Sequence, residues 1–153
     1  MKKLIILCFI LCLSLLSSQN FAQSNTQVLD SLLNNTMLIA KKGDLKTAKS
    51  TAISLLANFK DSLNMSKIYN FVGDLCMQHK HYCMQGNSLT QRYVYLFAYD
   101  MYEKAGNHSG MQEAKKNFPS LVDSFTCTPN PPTGALVTVN CWINDKTILR
   151  FRD

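Results

Sequence analysis

The sequence predicts a mainly α-helical chain: about five helices stacked as antiparallel helix-turn-helix pairs, followed by a C-terminal two-stranded β-hairpin. Three observations carry this expectation. Apolar residues recur at helical spacing from about residue 26 to residue 118. Gly43-Asp44 and Gly106-Asn107 interrupt that spacing with residues that end one helix and cap the next. From Thr126 the texture changes: TCTPNPPTG is a loop, and ALVTVNCWI and KTILRFR are rich in β-branched and aromatic residues.

The first helix has Asn25 or Thr26 as its cap and Leu29, Leu32, Leu33, Thr36 and Ala40 on one face. Gly43 ends it, because glycine takes a left-handed conformation without steric cost. Asp44 caps a second helix with Leu45, Ala48, Ala52, Leu55 and Phe59 as its stripe. Ser62 or Asn64 is expected to cap a third, which turns Ile68, Phe71, Val72, Leu75 and Cys76 inward. Gly86 and Asn87 mark a turn. A fourth helix, from about Leu89 to Ala105, is apolar nearly all round and therefore central. The fifth carries Met111, Ala114 and Phe118 and stops at Pro119. In the hairpin, Asn144-Asp145 suits a two-residue turn, which sets Trp142 opposite Thr147 and Cys141 opposite Ile148. Trp142, Leu149 and Phe151 then share the face that packs on the last helices, since a lone hairpin is marginal in water.

Composition narrows the function classes. The chain has 153 residues, is 46% hydrophobic and 17% charged, and so can bury a single core. Its formal charge of +6 includes Lys2 and Lys3. Lys41, Lys42, Lys46, Lys49, Lys104, Lys115 and Lys116 are scattered among acids and amides, the pattern of a solvated surface, and no basic run points to nucleic acid. Residues 1–22 read as a cleaved signal peptide: two lysines, an apolar run from Leu4 to Leu16, then small and polar residues to Ala22. That run is shorter than the roughly 20 residues a membrane span needs, and the mature chain holds no further candidate. Cys8 and Cys12 lie too early in the run to be lipidated. Residues 23–120 form the helical domain, and 121–153 the proline-rich loop and hairpin packed on it.

Export leaves Cys76, Cys83, Cys127 and Cys141, which in an oxidising compartment form disulfides. The local pairs Cys76–Cys83 and Cys127–Cys141 are the expectation, and spacing leaves the other two connectivities open. The alternative for CMQHKHYC is a metal site of Cys76, His79, His81 and Cys83, although its spacing matches no common zinc finger and export favours oxidation of the thiols. Tyr95, Tyr99 and Tyr102 form an i, i+4, i+7 stripe, read as core seam ahead of ligand platform. No nucleophile elbow, phosphate loop or HExxH is present, so no enzyme is expected, nor any cofactor.

The segments AKKGDLKTAKSTAISLL and YEKAGNHSGMQEAKKNF align at their turns, and the pair resembles the tetratricopeptide repeat. Leu32 and Tyr95 match its early bulky position, Ile39 and Tyr102 its later aromatic one, and Ala48 the small residue of the second helix. Val72-Gly73 matches the usual Leu-Gly pair, whereas Asn35-Thr36 and Ala98-Tyr99 depart from it and Met111 replaces the small alanine. The long helix ending AYDMYEKAGN, the segment NFPS and a hairpin with CWIN and ILR are similar to secreted tetratricopeptide-like proteins common in Bacteroidetes, as is the signal ending FAQ. This resemblance implies an exported, non-catalytic interaction module or adaptor of a Gram-negative envelope, periplasmic or surface-associated. Its partner would be a protein or peptide, met on the concave side by Tyr69, Arg92 and Tyr95. The alternatives are a structural subunit of an envelope assembly and a small secreted metal-binding protein or enzyme.

Overall fold

The computed structural model describes residues 25–84, 86–124 and 131–152. The expected signal peptide, Cys127 and most of the proline-rich loop lie outside them. Within them the chain is mainly helical and ends in a two-stranded antiparallel hairpin.

Residues 25–41 belong to the first helix, α1, and bury Leu29, Leu33, Thr36 and Ala40. Leu32, expected on the same face, sits at its edge and is 37% exposed. Gly43 follows at φ 92°, and Asp44 caps α2 (Leu45–Ser54) by accepting the Thr47 N–H at 3.1 Å. A 3₁₀ turn, Leu55–Ala57, leads on to α3 (Ser62–Gln78). Its cap is Asp61, not Ser62 or Asn64. The Asp61 carboxylate accepts the Asn64 backbone N–H at 2.9 Å and the Asn64 side-chain amide at 2.8 Å. The backbone bond holds the Asp61 carboxyl below its ordinary pKa.

A second 3₁₀ turn, Lys80–Cys83, carries the chain toward the next helix. The single helix expected from Leu89 to Ala105 is divided into α4 (Ser88–Gln91) and α5 (Tyr93–Ala105). At the junction the Arg92 N–H bonds to the Leu89 carbonyl and the Tyr95 N–H to the Arg92 carbonyl, both at 3.1 Å, so the backbone tightens to 3₁₀ spacing there. Gly106, at φ 70°, ends α5, and the Asn107 side chain caps α6 (His108–Lys115) through the Gly110 N–H at 2.9 Å. Beyond Pro119 a further short helix, α7 (Leu121–Ser124), is held by Ser120, whose N–H and hydroxyl both donate to Asp123.

Helix α5 is the central element, packed against α3, α6 and the hairpin, with Tyr93 to Ala98, Met101 and Tyr102 buried. The Tyr102 ring occupies a slot between two other helices. A Cβ on Gly73 of α3 would lie 2.7 Å from it, and one on Gly110 of α6 would lie 2.6 Å away. At the bottom of the slot the Tyr102 hydroxyl donates to Asp74 at 2.7 Å. The residue that admits the ring is therefore Gly110, next to Met111, where the repeat pattern places its small side chain.

The hairpin departs from its expected register. Strands β1 (Leu136–Val139) and β2 (Asp145–Ile148) pair Leu136 with Ile148 and Val139 with Asp145. The loop is the five residues 140–144, and Cys141, Trp142 and Ile143 lie in it instead of in a strand. Asn144 does take a positive φ, 45°, but Asp145 opens β2. The shift has a physical cause: each apolar residue of the loop has a better use there. Cys141 is bonded to Cys83, Ile143 is 1% exposed, and Trp142 packs on both apolar clusters of the core. Val139, Thr147 and Leu149 form the buried side of the hairpin.

Candidate functional site

Five elements surround a cleft of about 430 Å³. Helix α2 contributes Lys46, Lys49, Ser50 and Ile53, the first 3₁₀ turn Leu56, and α3 Tyr69. Helix α5 contributes Phe97, Asp100, Met101 and Lys104, and the hairpin the run from Trp142 to Lys146. The volume is in the range of sites that hold a small ligand or one anchoring side chain.

Helical spacing explains the wall from α5. Phe97, Asp100, Met101 and Lys104 stand three and four residues apart, on one side of the helix. Lys46, Lys49, Ser50 and Ile53 do the same on α2. The hairpin completes the cleft because two polar clamps hold it in place. Lys49 Nζ donates to the Ile143 carbonyl at 2.6 Å and to Asp145 Oδ2 at 2.9 Å, with the Phe97 ring centroid 5.3 Å away. Asp100 accepts the Thr147 hydroxyl and Arg150 Nη1, each at 2.6 Å. The Arg150 guanidinium also lies 5.0 Å from the Tyr99 ring centroid.

These clamps decide the electrostatics. Both aspartates of the cleft are engaged by partners from the protein itself. Lys46, Lys104 and Lys146 are exposed, and none is in an ion pair with an acidic side chain among the described residues. Lys104 Nζ lies 5.6 Å from the Tyr69 ring centroid. Burial alone would raise the Asp145 carboxyl. The Lys49 hydrogen bond, the Lys146 N–H and the charges of Lys49 and Lys104 outweigh it and hold the pKa below its ordinary value. A depressed carboxylate stabilises the fold above its unfolded pKa of about 3.9, and the contribution is lost as pH falls through the lower folded value. Lys49→Met is therefore expected to destabilise the protein by about 1–2 kcal/mol at neutral pH, below the full range for hydrogen bonds to charged groups because the Asp145 side chain is 51% exposed and its ion pair is screened. The deficit relative to wild type should shrink as pH falls below the ordinary carboxylate value of about 3.9 and through the lower folded value at which Asp145 protonates, which chemical denaturation across the acid range measures. A deficit unchanged with pH would detach Asp145 from the clamp.

The residues singled out in the sequence are dispersed by the fold. Tyr69 lines the cleft. Tyr95 does not: it is 6% exposed, with Lys80 Nζ 5.7 Å from its ring centroid. Arg92 points to another part of the molecule, bonding the Asn117 carbonyl at 3.3 Å and pairing with Asp123 at 3.5 Å. The three therefore share no surface. Tyr95 and Tyr102 are core, as the stripe suggests, and half-buried Tyr99 packs edge-on to Phe118 at 5.3 Å.

The cysteines also pair differently from the expected local bridges. Cys83 bonds to Cys141, 58 residues away, and Cys76 is a free, fully buried thiol. Cys76 belongs to the inward stripe of α3 and faces the core. Cys83 leaves α3 on the 3₁₀ turn and meets the hairpin loop. Burial pushes the Cys76 thiol far up, with Lys49 opposing only in part, so it stays protonated and unreactive. The set Cys76, His79, His81 and Cys83 is thus not assembled, and no group of three or more His, Cys, Asp and Glu suited to a metal occurs among the described residues. His79 and His81 pack on Tyr82 instead, the His81–Tyr82 rings tilted at 40° with centroids 4.1 Å apart. Burial and the neighbouring His81 lower the His79 pKa.

No family model, curated protein or solved structure matches the chain. The cleft therefore stands on its own geometry. Its residues escape a reading of the sequence because the lysines are scattered and look like ordinary solvated surface. The available signal was Trp142, the chain's single tryptophan, lying beside a cysteine and close to the expected hairpin turn. Its Nε1 is buried without a hydrogen-bond acceptor among the described residues, a cost of about 1–3 kcal/mol that its packing must offset.

Proposed function

We propose that the protein is a non-catalytic interaction module or adaptor exported to the bacterial cell envelope, and that the cleft between α2, α3, α5 and the hairpin receives a segment of its partner. The observation that carries this reading is the cleft itself: Tyr69, Phe97 and Trp142 line a concavity whose walls are joined by ion pairs and hydrogen bonds, with its hairpin wall tied by the disulfide to the 3₁₀ turn after α3. Tyrosine and tryptophan in a preformed hollow are the usual anchors of protein recognition. Export is supported by the signal-like N-terminus and by the Cys83–Cys141 bridge, which suits an oxidising compartment. Among the described residues no helix is long and apolar enough to cross a membrane. The likeness of the two Gly-Asp and Gly-Asn turns to tetratricopeptide units supports a helical-repeat adaptor of the Bacteroidetes type.

The test is affinity capture from envelope extracts with wild type and with Tyr69→Ala/Lys104→Glu, both altered side chains lining the cleft. Several partners, all lost in the variant, are expected of an adaptor. A single stoichiometric partner retained by the variant would point to a structural subunit that is held through another face.

A further inference from the structure

We infer that the occupant of the cleft is an acidic peptide segment bearing an aromatic or aliphatic anchor side chain, an inference that rests on the reading of the cleft as a partner site. Two features of the hollow, its rim and its interior, call for both properties at once. Along its rim stand Lys46 from α2, Lys104 from α5 and Lys146 from β2, exposed and outside any ion pair among the described residues. The remaining lysine of the lining, Lys49, is committed to the Ile143 carbonyl and Asp145, and Asp100 to Thr147 and Arg150. The charge offered outward is therefore positive, from three elements that converge on one opening. Inside, the surface is apolar: Ile53, Leu56, Tyr69, Phe97, Met101 and Trp142 line it.

A simple anion such as phosphate would satisfy the lysines and leave the aromatic surface unused. A neutral apolar side chain would do the reverse. A polynucleotide is the poorer match, because three lysines around one hollow do not make the extended basic groove that tracks a phosphate backbone. A carboxylate-bearing peptide with one buried apolar residue uses the rim and the interior together. The hollow of about 430 Å³ suits one side chain with its adjoining backbone.

Trp142 makes the test direct, since the chain's single tryptophan lines the cleft and its fluorescence reports occupancy. The probes are three labelled octapeptides: glutamate-rich with a central phenylalanine, the same with lysine for every glutamate, and the glutamate form with alanine at the centre. The expected result is Trp142 quenching by the first alone, weakened about tenfold or more by Lys46→Glu/Lys104→Glu/Lys146→Glu and by raising salt from about 0.05 to 0.5 M. The three lysines are exposed, so the variant is expected to fold; Lys104 also supports Asp145 and lies over Tyr69, so a small drop in the thermal midpoint is expected, and circular dichroism checks that the fold is kept. Binding of the first peptide that ignores the lysine substitutions, or equal binding of the lysine-rich peptide, would overturn the acidic specificity while leaving the cleft as a partner site. Equal binding of the alanine peptide would overturn the apolar anchor. Quenching by a polyphosphate or a single-stranded oligonucleotide, with none from the peptides, would overturn the ligand class. A Tyr69→Ala/Lys104→Glu variant that still captures every envelope partner would remove the underlying reading as well.

Discussion

Opening the Cys83–Cys141 bridge, by reduction or by Cys83→Ser with Cys141→Ser, is expected to lower stability by about 4 kcal/mol. That magnitude follows from the constraint the bridge places on the unfolded chain, which grows with the length of the loop closed, here a separation of 58 residues. Losing it would consume a large part of the roughly 5–15 kcal/mol that holds a typical domain folded. The effect should extend to the cleft, because Cys141 is the neighbour of Trp142 and shares its loop. Guanidinium denaturation with and without reductant, followed by far-UV circular dichroism and separately by Trp142 fluorescence, measures both. The tryptophan signal should change at lower denaturant than the helical signal once the bridge is open. Equal midpoints for oxidised and reduced protein would show that the bridge contributes nothing to the fold.

The second large effect is expected at the Tyr102 slot. Alanine in place of glycine normally stabilises a helix by up to about 1 kcal/mol. Gly73→Ala and Gly110→Ala should do the opposite, each costing about 1–3 kcal/mol, because the new methyl would meet the Tyr102 ring at 2.7 and 2.6 Å. The ring cannot simply move aside. Each glycine blocks retreat from the other, and the hydroxyl is bonded to Asp74. Burial first, and then that bond, push the phenol well above its ordinary pKa, so it remains a donor at any working pH. In a Tyr102→Ala background the same glycine substitutions should become neutral or stabilising. A double-mutant cycle isolates that coupling. A Gly110→Ala protein as stable as wild type would show that the slot is loose.

What the sequence made legible was governed by local chemistry. Helix ends at Gly43-Asp44 and Gly106-Asn107 depend on backbone angles and capping oxygens within a few residues, and they stand where they were expected. The centrality of α5 followed from its apolar circumference. Local ambiguity produced the small error at α3, where Asp61, Ser62 and Asn64 are all cap formers and the aspartate one place upstream takes the role.

The larger departures came from long-range demands. Asn144-Asp145 has good turn chemistry, but Cys141 is drawn to Cys83 and Ile143 to the core, so five residues are spent on the loop. Tyr95 was placed on a binding face by analogy with a repeat position, whereas burial in this chain puts it in the core. Of the cleft, only Tyr69 was singled out in the sequence. Lys46, Lys104 and Lys146 are far apart in sequence, and only the seating of the hairpin brings them to one rim.

That seating also bears on the order in which the molecule can be completed. Leu149 and Ile143 are buried against helices that end more than twenty-five residues earlier in the chain. Arg150 closes on Asp100 of the central helix from a distance of 50 residues. During synthesis the side of α5 that the hairpin covers stays bare until residue 150 has emerged, however early the helices themselves have formed. A chain still being threaded or translated is thus held short of its native core by its own topology, and the final strand supplies the step that closes it.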